Sequence, residues 1–312
     1  MRNWIGLLMA AIMLAGAGAP SVAAARPVAG ERTGIETWAV ELMALTGEVA
    51  DAVLVFDAWA DGTGEIDGPD EAAAFAKKVL PTFHAARTKL RATRDRLDAL
   101  QPYKGSDPYE NELSVKLLKE SREYAKRIDE VLASCETLML AIIDKDVERV
   151  ETAMAEVQQA SVVLVEGQLV MVRGRQALFD RDDPNRYILG SMENLYEGMR
   201  AALYLSFETV SERQAVRSMR SAARLCRERV EAGLRAADRA AAEPGFVRGS
   251  DRYIRQQLAV GGDIAKALDE AASIYERSDD RDAAFETVMN MFTALEERYD
   301  ASIRAEIALP ET

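Results

Sequence analysis

Five arginines, Arg213, Arg217, Arg220, Arg224 and Arg227, follow one another at steps of four, three, four and three residues. On a helix this spacing puts five guanidinium groups on one face. Their forked donors suit carboxylate and phosphate, so the chemistry on offer is anion recognition. A second basic set, Lys77, Lys78, Arg87, Arg91 and Arg94, lies on an earlier segment. Both sets stand out because the chain is acidic, with 52 Asp and Glu against 39 Lys and Arg and a net charge of −13. That balance argues against nucleic acid as a partner, and it is the two basic sets that point to an envelope protein or an anionic polymer. The plainer reading, and the favoured one, is that the arginines pair with the protein's own carboxylates. The single histidine, His84, leaves no ordinary Ser-His-Asp triad and no pair of Glu-x-x-His motifs, since Pro81 stands three residues before it. It is read as a residue at the edge of a core. Carboxylates are too numerous for any one acid–base pair to be nominated from spacing.

A second chemical candidate is the turn Trp59-Ala60-Asp61-Gly62-Thr63-Gly64-Glu65-Ile66-Asp67-Gly68-Pro69-Asp70. It resembles an EF-hand calcium loop, with Asp61, Thr63, Glu65 and Asp67 at alternating oxygen positions, Gly64 at the sharp bend and Ile66 after it. The resemblance implies calcium as ligand, with Asp70 closing the site. Two departures weaken it: Trp59 stands where the family has an Asp, and Asp70 is shorter than the bidentate Glu it replaces. A helix-to-helix turn built of turn-forming residues is the favoured reading, and a weak calcium site is the alternative.

These residues need elements to hold them, and the apolar periodicity predicts helices throughout. Eight are expected: Glu36 to Ala60, Pro69 to before Pro102, Pro108 to Ile143, Val147 to Phe179, one from Pro184, one from Ser211, one after Asp251, and Ala283 to Ile307. Asp107 and Asp183 each precede a Pro, the arrangement of an N-cap followed by a first-turn proline. Pro81 is expected to kink the second helix. The fourth segment also fits a hairpin, because Val162–Val165 and Leu169–Val172 flank Glu166-Gly167-Gln168. The row Val150, Met154, Val157, Ser161, Leu164, Gln168 and Met171 favours one buried helix. Cys135 and Cys226 lie on apolar seams and are read as core residues in preference to a disulfide.

Arg2, the apolar run from Trp4 to Gly18 and the small residues Val22-Ala23-Ala24-Ala25 have the layout of a cleaved export signal over residues 1–25. Later stretches are too polar for a membrane span. The expected organisation is an all-α fold of two tandem antiparallel four-helix bundles, residues 26–180 and 181–312. Three matched words suggest an internal duplication. Gly105-Ser106-Asp107-x-Tyr109 recurs as Gly249-Ser250-Asp251-x-Tyr253. Lys126-x-Ile128-Asp129-Glu130 recurs as Lys266-x-Leu268-Asp269-Glu270, and Glu151-Thr152-x-Met154 as Glu286-Thr287-x-Met289. The functional expectation is a periplasmic or secreted, non-enzymatic binding or interaction protein. A calcium- or small-ligand-binding module centred on Asp61 to Asp70, and a carboxylate-based hydrolase, are the alternatives.

Overall fold

The computed structural model describes residues 34–52, 55, 68–176, 179, 181–242 and 252–308. Among them are eight helices and no strand: α1 (Gly34–Asp51), α2 (Pro69–Ala99), α3 (Pro108–Asp144), α4 (Val147–Gln176), α5 (Pro184–Ser206), α6 (Glu212–Ala241), α7 (Arg252–Arg277) and α8 (Arg281–Ala308). The fold is all-α. None of these helices is long and apolar enough to cross a membrane. The export-signal segment lies outside the described residues.

Punctuation in the chain sets the helix ends. Asp107 accepts a hydrogen bond from Tyr109 N at 2.8 Å, with Pro108 in the first turn of α3. Asp183 does the same for Asn185 N at 2.8 Å at the start of α5. Each carboxylate satisfies a backbone donor that has no partner within its helix. A reciprocal Ser211–Gln214 capping box opens α6. Lys145 ends α3 in the left-handed region at φ 57, and its N–H turns back to close the last carbonyls. Pro81 lies inside α2, which continues through it to Ala99.

The fourth segment is a helix, and the hairpin alternative is set aside. Ala153, Val157, Ser161, Leu164, Gln168 and Met171 are buried along it at steps of three and four. Ser161 Oγ donates to Val157 O at 2.9 Å, an i to i−4 bond that belongs to helical geometry. Strand alternation would have exposed every second residue, whereas Leu164 and Val165 are both buried, as are Gln168 and Leu169.

The chain divides into two compact units, and the division falls within α4 between Leu164 and Val165. In the first unit α2 packs along α3, and α1 lies against both. Trp38, Leu42, Leu45 and Val49 form the stripe that α1 buries. Trp38 Nε1 donates to Gln101 O at 2.8 Å, so the indole is paired as well as packed. Phe83, Leu90, Leu97, Leu118, Ile128, Leu132 and Cys135 fill the centre. In the second unit α6 packs between α5 and α7, and α8 lies against α7 and α5. Leu195, Met199, Met219, Leu258, Leu268, Phe285 and Phe292 are among its fully buried core residues.

Small residues bring the helices of the second unit close. A Cβ added at Gly261 would lie 2.7 Å from Ser191 Oγ and 2.8 Å from Val230 Cγ2. Both cysteines are fully buried and free, Cys135 in the first unit and Cys226 in the second. Burial pushes both thiols up, away from the reactive thiolate form.

Two substitutions measure this packing. Phe83→Ala should cost about 3–5 kcal/mol in denaturant unfolding, because Phe83 has no exposed surface and its removal leaves a cavity. Gly261→Ala should lower the melting temperature although alanine favours helix, since overpacking at about 1–3 kcal/mol exceeds a helix-propensity gain of about 1 kcal/mol. A melting temperature unchanged or raised in Gly261→Ala would mean that α5, α6 and α7 are looser than described.

Candidate functional site

The arginine row sits where its spacing placed it, on one face of α6. Ala215, Val216, Met219, Ala222, Ala223 and Cys226 turn inward, while Arg213, Arg217, Arg220, Arg224 and Arg227 are exposed. Their partners divide them. Arg220 Nη2 pairs with Glu276 of α7 at 2.5 Å. Arg227 Nη1 pairs with Asp269, also on α7. Arg224 pairs with Glu228 at 2.8 Å, one turn along its own helix. Arg213 and Arg217 have no ion pair or hydrogen bond among the described residues. Self-pairing therefore accounts for three of the five, and the first turns of α6 keep two cations one helical turn apart facing solvent.

The earlier basic set divides in a similar manner. Arg87 bridges from α2 to α3, with Nε donating to Asp129 Oδ1 at 2.7 Å and Nη1 to Glu136 Oε2 at 2.6 Å. Arg94 reaches the other Asp129 oxygen at 2.5 Å, and Arg91 stands 3.8 Å from Oδ1. Burial works against the charge on Arg87, but the two carboxylates hold it firmly protonated. Lys77 and Lys78, nearer the start of α2, are exposed and without an ion pair among the described residues. His84 lies at the edge of this network, with Nδ1 2.7 Å from Glu136 Oε1. Its place is the rim of the α2–α3 contact, as expected of an edge histidine.

Of the calcium candidates, Asp61, Thr63, Glu65 and Asp67 lie outside the described residues. Asp70 is described, and its carboxylate pairs with Lys145 at the end of α3. The hydrogen bond and charge of Lys145 hold Asp70 below the usual carboxylate range. Among the described residues, no group of three or more His, Cys, Asp or Glu side chains is arranged to hold a metal ion.

A groove of about 270 Å³ runs between α2 and α3, with Arg94, Lys119, Arg122 and Lys126 facing Asp98 and Glu123. Its central guanidinium is occupied. Arg122 donates to the carbonyls of Leu97, Asp98 and Leu100 at 2.9–3.0 Å, closing the C-terminus of α2. The groove is therefore in large part a helix cap.

Sequence reasoning did not find the polar hub of the second unit. Glu193 of α5 accepts from Arg173 at 2.7 Å and Gln176 at 3.0 Å on α4, and pairs with Arg229 of α6 at 2.8 Å. Glu197 receives Arg173 and Arg200, both at 2.5 Å. Tyr196 and Met199 of α5 are buried. Tyr196 Oη donates to Glu296 Oε1 at 2.7 Å, joining α5 to α8 inside the core. Nothing in the spacing distinguishes Glu193 or Glu296 from the other acids; only the meeting of helices distant in the chain does so.

Comparison of the chain with known protein families, characterised proteins and solved structures gives no match.

Besides Asp70, three more carboxylates lowered by their partners contribute to the expected response to acid. Hydrogen bonds from Arg96 and Thr93 hold Glu48 below its ordinary value, and Lys266 and Arg298 do so for Asp263. Burial pushes Glu193 up, but the bonds from Arg173 and Gln176 and the charge of Arg229 outweigh it, leaving Glu193 lowered. A group lowered on folding contributes stability that is complete above its unfolded value and is lost as pH falls through the folded one. Unfolding free energy should therefore decline as the pH falls below about 5 and go on declining below the ordinary carboxylate range. Glu193→Gln should be less stable than the parent at neutral pH and show a shallower decline; parallel curves would mean that the hub is not coupled to folding.

Proposed function

We propose that this chain is an exported, helical, non-enzymatic binding protein of the cell envelope that docks an acidic partner on the exposed face of α6. The observation that carries the reading is the Arg213–Arg217 pair, which lies on a well-capped helix yet has no carboxylate partner among the described residues. Four residues on a helix span about 6 Å. That separation suits carboxylates one turn apart on a partner helix, or two residues apart on an extended strand. Guanidinium is the better cation here because it binds carboxylate at two points.

A net charge of −13 opposes an acidic ligand at long range. At physiological ionic strength the screening length is about 8 Å, so the nearby cations decide the local interaction and the distant acidic excess does not. At very low salt the length grows to about 30 Å and the repulsion is felt. The export signal at residues 1–25 supports an extracytoplasmic setting for this contact.

An internal duplication belongs to the same proposal. Arg87–Asp129 in the first unit and Arg227–Asp269 in the second are both α2–α3-type contacts between a helix and its successor, and both members are displaced by 140 residues. The same displacement carries the buried Ala76, Val79, Phe83 and Leu97 to the buried Val216, Met219, Ala223 and Ala237. It also carries Leu118, Ala125, Ile128, Leu132 and Cys135 to Leu258, Ala265, Leu268, Ala272 and Tyr275. Helical period alone returns a matching face every few residues, but a cross-helix ion pair also requires the register between the two helices to agree.

The test is binding of a fluorescent hexaglutamate peptide to the chain lacking residues 1–25, at near-physiological salt. Arg213→Glu with Arg217→Glu should weaken binding roughly tenfold or more, since two attractions are lost and two repulsions added. Arg224→Glu, whose parent residue is already paired with Glu228, should have the smaller effect. Equal binding by the parent and the double variant would overturn the reading.

A further inference from the structure

We infer that the chain carries a second docking site for an acidic polypeptide segment, formed by Lys77 and Lys78 on α2. The inference rests on the proposed duplication and on the proposed role of α6. Displaced by 140 residues, Lys77 falls on Arg217, and both are exposed and without an ion pair among the described residues. Farther along the same two helices, Arg87 and Arg227 are the equivalent pair that reaches across to Asp129 and Asp269. Each second helix thus reaches the following helix through an arginine farther along, Arg87 or Arg227, while its earlier cations, Lys77 and Lys78 or Arg213 and Arg217, have no ion pair among the described residues.

The two sites differ in detail. Arg213 corresponds to Ala73, which is buried, so the first unit has no cation one turn before Lys77. Lys78, the next residue, supplies the second charge instead, and it is exposed. Adjacent lysines point about 100° apart around the helix axis, so they spread their two charges over a broader surface and present no row. Ammonium groups act as point charges and lack the two-point geometry of guanidinium. The α2 site is accordingly the weaker of the two, and an acidic segment fills the α6 site first.

The occupant is a short carboxylate-rich stretch of a partner protein. Charge complementarity selects it, and the flexible ammonium groups of Lys77 and Lys78 can follow its backbone without a preset register. A partner with two such stretches would gain from engaging one chain twice, because the second contact is made at a raised local concentration.

The experiment counts hexaglutamate peptides bound per chain, by titration of the same protein at near-physiological salt. Two peptides per chain, reduced to one by Lys77→Glu with Lys78→Glu and to one by Arg213→Glu with Arg217→Glu, is the expected result. One peptide per chain, abolished by the arginine variant and unchanged by the lysine variant, overturns the second site and leaves the α6 reading standing. Binding that ignores the arginine variant overturns both. Sedimentation of the parent without peptide provides a separate check: a dimer dispersed by Lys77→Glu with Lys78→Glu would show that α2 docks a second copy of this chain, and would overturn the occupant named here. Circular dichroism of each variant, expected to match the parent, confirms that these exposed changes leave the helices intact.

Discussion

An amphipathic helix in water has one way to hide its apolar stripe, which is to place it against another stripe. This chain has no strand among its described residues to offer a different surface, so helix-on-helix burial governs every other choice in it. The constraint acts first on side-chain size. Where α5, α6 and α7 meet, Gly190, Gly233 and Gly261 stand beside Arg229, Leu258 and Ser191, and the backbone approaches that a larger residue would block. It acts next on the polar groups, because whatever flanks a stripe is carried into the seam beside it.

The ion pairs follow from that geometry. Asp129 lies beside the buried Ile128 on α3, and Asp269 beside the buried Leu268 on α7. Each seam draws its flanking carboxylate toward the arginines of the preceding helix, Arg87 and Arg94 in one unit and Arg227 in the other. The exposed pairs contribute little individually, by the general behaviour of solvated salt bridges. The half-buried ones have a different role: removing one partner leaves a charge in a place where water cannot fully replace it. Glu193, held by Arg173, Gln176 and Arg229 from two other helices, is the plainest case in the second unit.

Much of the architecture was legible in the chain. Asp107-Pro108, Asp183-Pro184 and Ser211 announced helix starts because short polar side chains bond the first free N–H groups, an interaction local enough to be read from neighbours in sequence. The arginine row was legible as a face for the same reason. Its division into paired and unpaired members was not, since Glu276 and Asp269 lie on α7 while Glu228 lies on α6 itself. Segment 162–172 was ambiguous because two apolar runs on either side of Glu166-Gly167-Gln168 satisfy both periodicities. The helix prevails because successive residues such as Leu164 and Val165 are both buried, which no half-exposed strand allows.

By itself the sequence determined the helices, their caps, the seams that hold Cys135 and Cys226, and the acidic balance of the surface. All of these depend on interactions within a turn or two, or on composition. Only the tertiary structure decided which cations are spent and which remain. Arg220 and Arg227 are satisfied across α6 and α7, whereas Arg213 and Arg217, on the same face, have no partner among the described residues. The physical reason is that an ion pair between helices depends on the register at which two stripes interlock, and that register is set by the summed packing of both faces, not by either helix alone.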